Sequence, residues 1–225
     1  MITLHTMERD YPYGTLRSTN GCKVKVVLEE KSIDYQVVGV RPGDVWKKVP
    51  EVLEKHPLGK VPWIDDGETT VYDSTVINEY LNEKVVAPQL LPDDLALRGK
   101  ARALENYADE GVLSKLLPMI WMPWWSPLEQ RDQDAMQKGR DGLIAEILPF
   151  LEQTLGGQEY LCGDFSLADV PMMSVAMVLE VDGMDTSAFG NVHDYFGRLR
   201  GRSSYQAISP KNNCAETAAL SGRGS

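Results

Sequence analysis

K-V-P-W-I-D-D-G-E-T-T-V-Y-D-S, Lys60 to Ser74, decides how the first half of this 225-residue chain is read. Val61 to Asp66 and Thr69 to Asp73 have the β-branched and aromatic content of two short strands, and Asp66-Gly67 between them favours an antiparallel hairpin. Ser74 then opens a helix, because Val76, Ile77, Tyr80 and Leu81 return at helical spacing. Pro62, second in its strand, has no N–H to give to a ladder. It marks either an ordinary edge strand or a point where main-chain groups are kept out of the sheet for another use.

Upstream, Ile2 to Thr6 alternates as a strand, and a polar, turn-rich stretch follows as far as Gly21. Val24, Val27 and Leu28 then share one helical face. Ile33, Tyr35 and Val37 alternate again, giving a second strand parallel to the first if the helix is the crossover. Val45 to Lys55 reads as an irregular helical region broken at Pro50, so residues 1–84 spell βαβ-αββα: a small mixed sheet covered by helices. The proline-bearing run V-V-A-P-Q-L-L-P-D-D, 85–94, is the expected linker. Beyond it, Leu97–Lys115, Gln133–Leu155, Leu167–Val181 and Val192–Arg200 are periodic enough for helices, which predicts an all-α domain over 95–210 and a frayed polar tail over 211–225. In F-S-L-A-D-V, Ser166 and Asp169 form a capping box between the apolar Phe165 and Val170, a device for folding.

Composition narrows the function. A formal charge of −10 argues against nucleic acid and anionic membrane surfaces, which call for clustered Lys and Arg. No apolar run reaches the ~18–20 residues of a membrane span. The N-terminus, M-I-T-L-H-T-M-E-R-D, lacks a basic segment followed by an apolar core, and three scattered cysteines without C-x-x-C fit reduced thiols, so a cytoplasmic protein is expected. His5, His56 and His193 are too dispersed to suggest a metal site.

The ordered series V-P, D-S and F-S-L-A-D, with the linker between the two halves, resembles the cytosolic glutathione S-transferases over nearly the whole chain. The resemblance implies a thioredoxin-like N-terminal domain, an all-α C-terminal domain, glutathione as co-substrate, and no metal. It also implies a cis peptide before Pro62, which leaves the N–H and C=O of Val61 outside the sheet, where a ligand backbone can add to them like a strand. Ser74 then takes the γ-glutamyl carboxylate, Asp73 the amino end, and Lys60 with His56 the glycine carboxylate. Each has a plainer reading: serine as N-cap, aspartate as dipole complement, lysine as a solvated side chain.

In the family a hydroxyl after the first strand donates to the glutathione sulfur. Counting back from Lys23-Val24 as the helix start brings Ser18 to that position, while T-N-G-C-K resembles the T/S-x-N-G-x-K pattern of Nu-type and β-etherase-like members, in which Asn20 helps to hold the sulfur. Some ten residues, M-E-R-D-Y-P-Y-G-T-L, intervene where close relatives are shorter, so Tyr11 or Tyr13 is an alternative donor. Cys22, a turn beyond Ser18, reads as a small core residue in preference to a disulfide-forming nucleophile.

Trp121, Trp124 and Trp125, with Met119 and Met122, form an aromatic cluster that is either the wall for a hydrophobic or aromatic electrophile or a packed interhelical corner. The resemblance thus implies an enzyme that directs a glutathione thiolate at an electrophilic, ether or disulfide substrate, in a homodimer. The alternative is a non-catalytic binding or assembly module on the same fold.

Overall fold

The computed structural model describes the backbone of residues 1–11, 14–125 and 130–209, and the side chains of 1–8, 17–119 and 130–209. Strand β1 (Ile2–Thr6) buries Ile2, Leu4 and Thr6 and lies in the middle of a four-stranded sheet ordered β4-β1-β5-β6. Its partners are β4 (Tyr35–Gly39), parallel with Leu4 opposite Val37, and β5 (Trp63–Asp66), antiparallel with Leu4 opposite Ile64. β5 returns as β6 (Thr69–Tyr72) through a two-residue turn in which Gly67 takes φ 62°, a conformation that glycine enters at little cost. Residues 8–17 depart from the expected turn-rich loop. They pair as a second sheet, β2 (Glu8–Tyr11) with β3 (Gly14–Arg17), Glu8 facing Arg17.

Helix α1 (Thr19–Glu30) begins four residues before the Lys23 start that the family resemblance implied. Gly21 to Leu28 are all buried, because α1 is covered on several sides: by α4 (Ser74–Lys84), by α9 (Val170–Asp182) and by a 3-10 turn over Ser203–Ala207. Gly21 permits the close approach to β1, since a Cβ there would lie 1.9 Å from Thr6 Oγ1. The expected irregular helix resolves into α2 (Pro42–Trp46) and α3 (Pro50–Lys55), each with its proline in the first turn, where a missing N–H costs nothing. Met7, Val52, Val61 and Trp63 close a small core beneath them.

The run expected as a linker is hydrogen-bonded to the first half at Val85 and Leu90. Ala87–Pro88 is cis, Lys31 Nζ donates to the carbonyl of Val85 at 2.7 Å, and Leu90 N–H donates to Asn82 Oδ1 at 2.9 Å. The second half is helical throughout its described elements: α5 (Leu95–Tyr107), a π turn over Ala108–Val112, α6 (Leu113–Trp125), α7 (Gln133–Gly142), a π turn over Leu143–Ile147, α8 (Leu148–Leu155), α9 and α10 (Gly190–Arg200). Asp94 caps α5 by accepting from Leu97 N–H at 2.9 Å. α9 is buried from Val170 to Leu179 and forms the axis of this half.

The Ser166–Asp169 box forms in a different register from the one expected. The helix proper starts at Val170, and Asp169 is 0% exposed. Its carboxylate accepts from Ser166 N–H (2.9 Å), Ser166 Oγ (3.0 Å), Leu161 N–H (3.0 Å) and the Tyr195 hydroxyl (2.8 Å). Burial nevertheless pushes its pKa up. Among the described residues no helix is long and apolar enough to cross a membrane, and no cluster of His, Cys, Asp and Glu could hold a metal.

Candidate functional site

Ser18 joins β3 to α1 and is the N-cap of the helix. Its N–H donates to the Met7 carbonyl at 2.9 Å, and its Oγ accepts from Gly21 N–H at 3.2 Å. A hydroxyl oxygen that accepts in this way keeps its own proton to give. Cys22 lies one turn deeper, 2% exposed, and burial pushes its thiol up to about 11, so it stays protonated. That is the core role expected of it.

A cleft of about 220 Å³ opens between the two halves at this point. One wall carries Ser18, Thr19, Asn20, Lys60 and Val61, with Met7, Val45 and Trp46 beside them; Leu113 and Leu117 of α6 form the other. Arg17 also lines it. β3 packs against α6, so the hairpin at 8–17 bridges the halves alongside the opening. The Val61–Pro62 bond is cis, and β5 begins only at Trp63. Among the described residues neither the N–H nor the C=O of Val61 pairs with another main-chain group.

α4 starts beside α1, and its N-cap is Asp73, not Ser74. Asp73 holds the unusual φ of 72° while Oδ1 accepts from Thr75 N–H (3.0 Å) and Val76 N–H (3.4 Å). Its other carboxylate oxygen makes no hydrogen bond among the described residues. Ser74 is the first helical residue and is buried. Lys60 is exposed at the cleft. His56, by contrast, is 4% exposed, packs against Tyr72 and accepts from Leu58 N–H through Nδ1 at 3.2 Å. Burial lowers its pKa, so the ring is held neutral, and it is absent from the described lining of the cleft. Tyr13 lies outside the described residues. The backbone of Trp121, Trp124 and Trp125 belongs to α6, and their side chains lie outside the described residues.

Sequence reading missed the charges packed around α1. Lys23, 2% exposed, donates to both carboxylate oxygens of Asp109 (3.0 and 2.9 Å) and to Thr75 Oγ1 at 3.4 Å, and its Nζ lies 3.8 Å from Glu105 Oε1. Glu105 is fully buried; burial raises its carboxyl to about 7 against the pull of Lys23. One signal was available, since Glu105 sits on the stripe Ala101, Leu104, Ala108, Val112, which is otherwise apolar. On the hairpin side, Lys25 Nζ bonds the Glu8 carboxylate, and Arg17 Nη1 donates to the carbonyls of Ile208 (2.8 Å) and Ser209 (2.7 Å).

Residues 13–89 match the family model of the glutathione S-transferase N-terminal domain, and residues 113–202 match that of the C-terminal domain. Glutathione S-transferase 1 of Zea mays is 27% identical over 202 residues, covering 88% of this chain and 94% of that protein. Glutathione S-transferase F10 of Arabidopsis thaliana is 31% identical over 153 residues, 64% of this chain and 69% of that protein. Among solved structures, a glutathione S-transferase-I bound with lactoylglutathione superposes with a TM-score of 0.75 at 25% identity, covering 97% of this chain and 99% of that one.

Proposed function

Because the chain belongs to the glutathione S-transferase superfamily, we propose that its interdomain cleft binds glutathione and delivers the thiolate to an apolar electrophile. The observation that carries this is the convergence of Ser18 and the unpaired main-chain groups of Val61 on one cleft. A cysteinyl backbone adds to Val61 as an extra strand. Asp73 offers its free carboxylate oxygen to the γ-glutamyl ammonium, and the start of α4 at Ser74 receives the carboxylate. Lys60, exposed at the mouth, meets the glycine end; the buried, neutral His56 is left out of this set.

Ser18 donates a hydrogen bond from its hydroxyl to the sulfur, and Asn20, in the first turn of the same helix, steadies it. To be mostly ionised at pH 7 a thiol of pKa near 8.5 must fall by about two units, or about 2.7 kcal/mol. A hydrogen bond to a charged acceptor contributes about 1.5–3 kcal/mol and a helix N-terminus about 0.3–1 kcal/mol. The two suffice without a general base. Leu113, Leu117, Val45 and Trp46 give the second substrate an apolar wall, on which catalysis is chiefly positioning. The reading extends to a cytoplasmic homodimer, as in the family it resembles.

Calorimetric titration with glutathione tests the reading together with the ultraviolet absorbance of the bound thiolate. Sub-millimolar binding is expected, and Ser18→Ala should leave about tenfold less thiolate at neutral pH. Absence of binding overturns the proposal. Binding without turnover on a panel of electrophiles, ethers and disulfides would favour an assembly module on the same fold.

A further inference from the structure

Two lysines are buried in α1, and they are compensated in opposite ways. Lys23 meets two carboxylates, Asp109 and Glu105. Lys25 shares a single carboxylate, Glu8, with a second buried cation, Arg17. Arg17 is 4% exposed, and its two hydrogen bonds go to the neutral carbonyls of Ile208 and Ser209. Its Nε has no hydrogen-bond partner among the described residues: Glu8 Oε1 is 3.5 Å away, an ion-pair distance without hydrogen-bond geometry. Among the described residues the trio therefore holds one positive charge in excess, with both cations buried and Glu8 22% exposed, in a protein whose formal charge is −10. A buried charge without a counter-ion is costly, so its retention calls for an anion nearby.

The place for that anion is given by position in the chain. Arg17 is the residue before Ser18 and lines the cleft, and Lys25 lies two turns along the helix that Ser18 caps. Among the described residues, other ionisable groups near this end are paired or exposed: Lys23 bonds Asp109, the Tyr205 hydroxyl of the 3-10 turn donates to Glu180 at 2.6 Å, and Lys60 faces solvent at the mouth. The protein's own sulfur in this turn, Cys22, is pushed up to about 11 by burial, with Arg17 and Lys25 pulling against that rise and Glu8 adding to it.

We propose that Arg17, with Lys25 and against Glu8, is the counter-charge for an anionic ligand sulfur held at Ser18; Arg17 is a positioning residue that acts through its field. The inference rests on the glutathione reading above. In the step it assists, the S–H bond breaks, the electron pair stays on sulfur and the proton passes to water. Ser18 then supplies the hydrogen bond, and the two buried cations supply the sign of the surroundings.

The test compares full-length wild type, Arg17→Met, Arg17→Lys and Glu8→Gln. The bound thiol is titrated by its ultraviolet absorbance, and binding of glutathione and S-methylglutathione is followed by calorimetry. Arg17→Met should give about tenfold less thiolate at a fixed pH below the thiol pKa, and Glu8→Gln about threefold more. Arg17→Lys should stay within about threefold of wild type, since the charge is kept. S-methylglutathione, whose sulfur carries no proton, should bind all four proteins alike. A thiol titration that does not move in Glu8→Gln, with glutathione still bound, overturns the inference, and that variant decides even if Arg17→Met fails to fold. Failure of wild type to bind glutathione at all is a different result: it removes the underlying reading, and the inference with it.

Discussion

The start of α9 and the start of α1 use the same device, a polar side chain beside the first main-chain N–H groups of a helix, and they differ in what is left over. At α9 the Asp169 carboxylate takes four hydrogen bonds and is sealed from solvent. Every polar atom in that knot is spent on the fold. At α1 Ser18 accepts one weak bond from Gly21 and retains a proton, the adjacent Val61 keeps both main-chain groups, and the carboxylate of Asp73 at α4 is half used. Ser18 and Val61 face one cleft, and Asp73 lies at the start of the neighbouring helix. A helix start that satisfies itself holds structure together, and one that is left incomplete, at an opening between two walls, is equipped for a ligand.

The contrast is broken most decisively at Asp169. Asp169→Ala leaves two main-chain N–H groups and two hydroxyls unpartnered in the core and should cost about 3–5 kcal/mol in chemical denaturation, with glutathione affinity of the folded fraction unchanged. A variant that loses affinity and keeps its stability would reverse the two roles. Glu105→Gln is expected to act less, and through pH. The folded chain holds the Glu105 proton more tightly than the unfolded chain does, since its carboxyl is raised from 4.5 to about 7. That contribution is therefore complete below about pH 4.5 and is lost as pH rises through 7. The glutamine variant lacks this slope, and its stability relative to wild type should climb by on the order of 1–3 kcal/mol between pH 5 and 8 in parallel denaturation curves. Asp73→Asn should be the quietest for the fold, within ~0.5 kcal/mol, because asparagine caps helices and tolerates positive φ. Its glutathione affinity should nonetheless fall about tenfold with the lost charge; equal affinity would place the ammonium elsewhere.

What could be read from the sequence follows from how local each interaction is. The β5–β6 hairpin, the helix at Ser74 and the box at Asp169 depend on residues a few positions apart, and a turn glycine or a capping side chain reveals them. The 8–17 hairpin was hidden because the run R-D-Y-P-Y-G has the composition of a loop, and its pairing of Glu8 with Arg17 shows no alternation to betray it. The α1 start lies earlier than the family resemblance implied: Thr19, Asn20 and Gly21 are poor helix formers, and packing against Thr6 overrides that preference. Ser18 was legible by its place before the helix. Arg17, Lys25 and Glu8 were not: a charged residue in sequence reads as solvated, and only the folded chain brings Ile208 and Ser209 over the hairpin to shut water out. His56 shows the reverse, a ligand implied by the family resemblance that the fold packs inward against Tyr72.

Helix α1 belongs to neither half alone. Ser174 of α9 donates its hydroxyl to the Thr19 carbonyl at 3.1 Å, one residue past Ser18, so the far half of the molecule grips the first turn from behind. Recombination at the linker that exchanged the helical half for a foreign one would strip α1 of that support unless the incoming chain brought a matching α9. Point substitution along α6 changes the cleft wall and leaves that grip in place, while wholesale module exchange removes it from the helix the two halves hold in common.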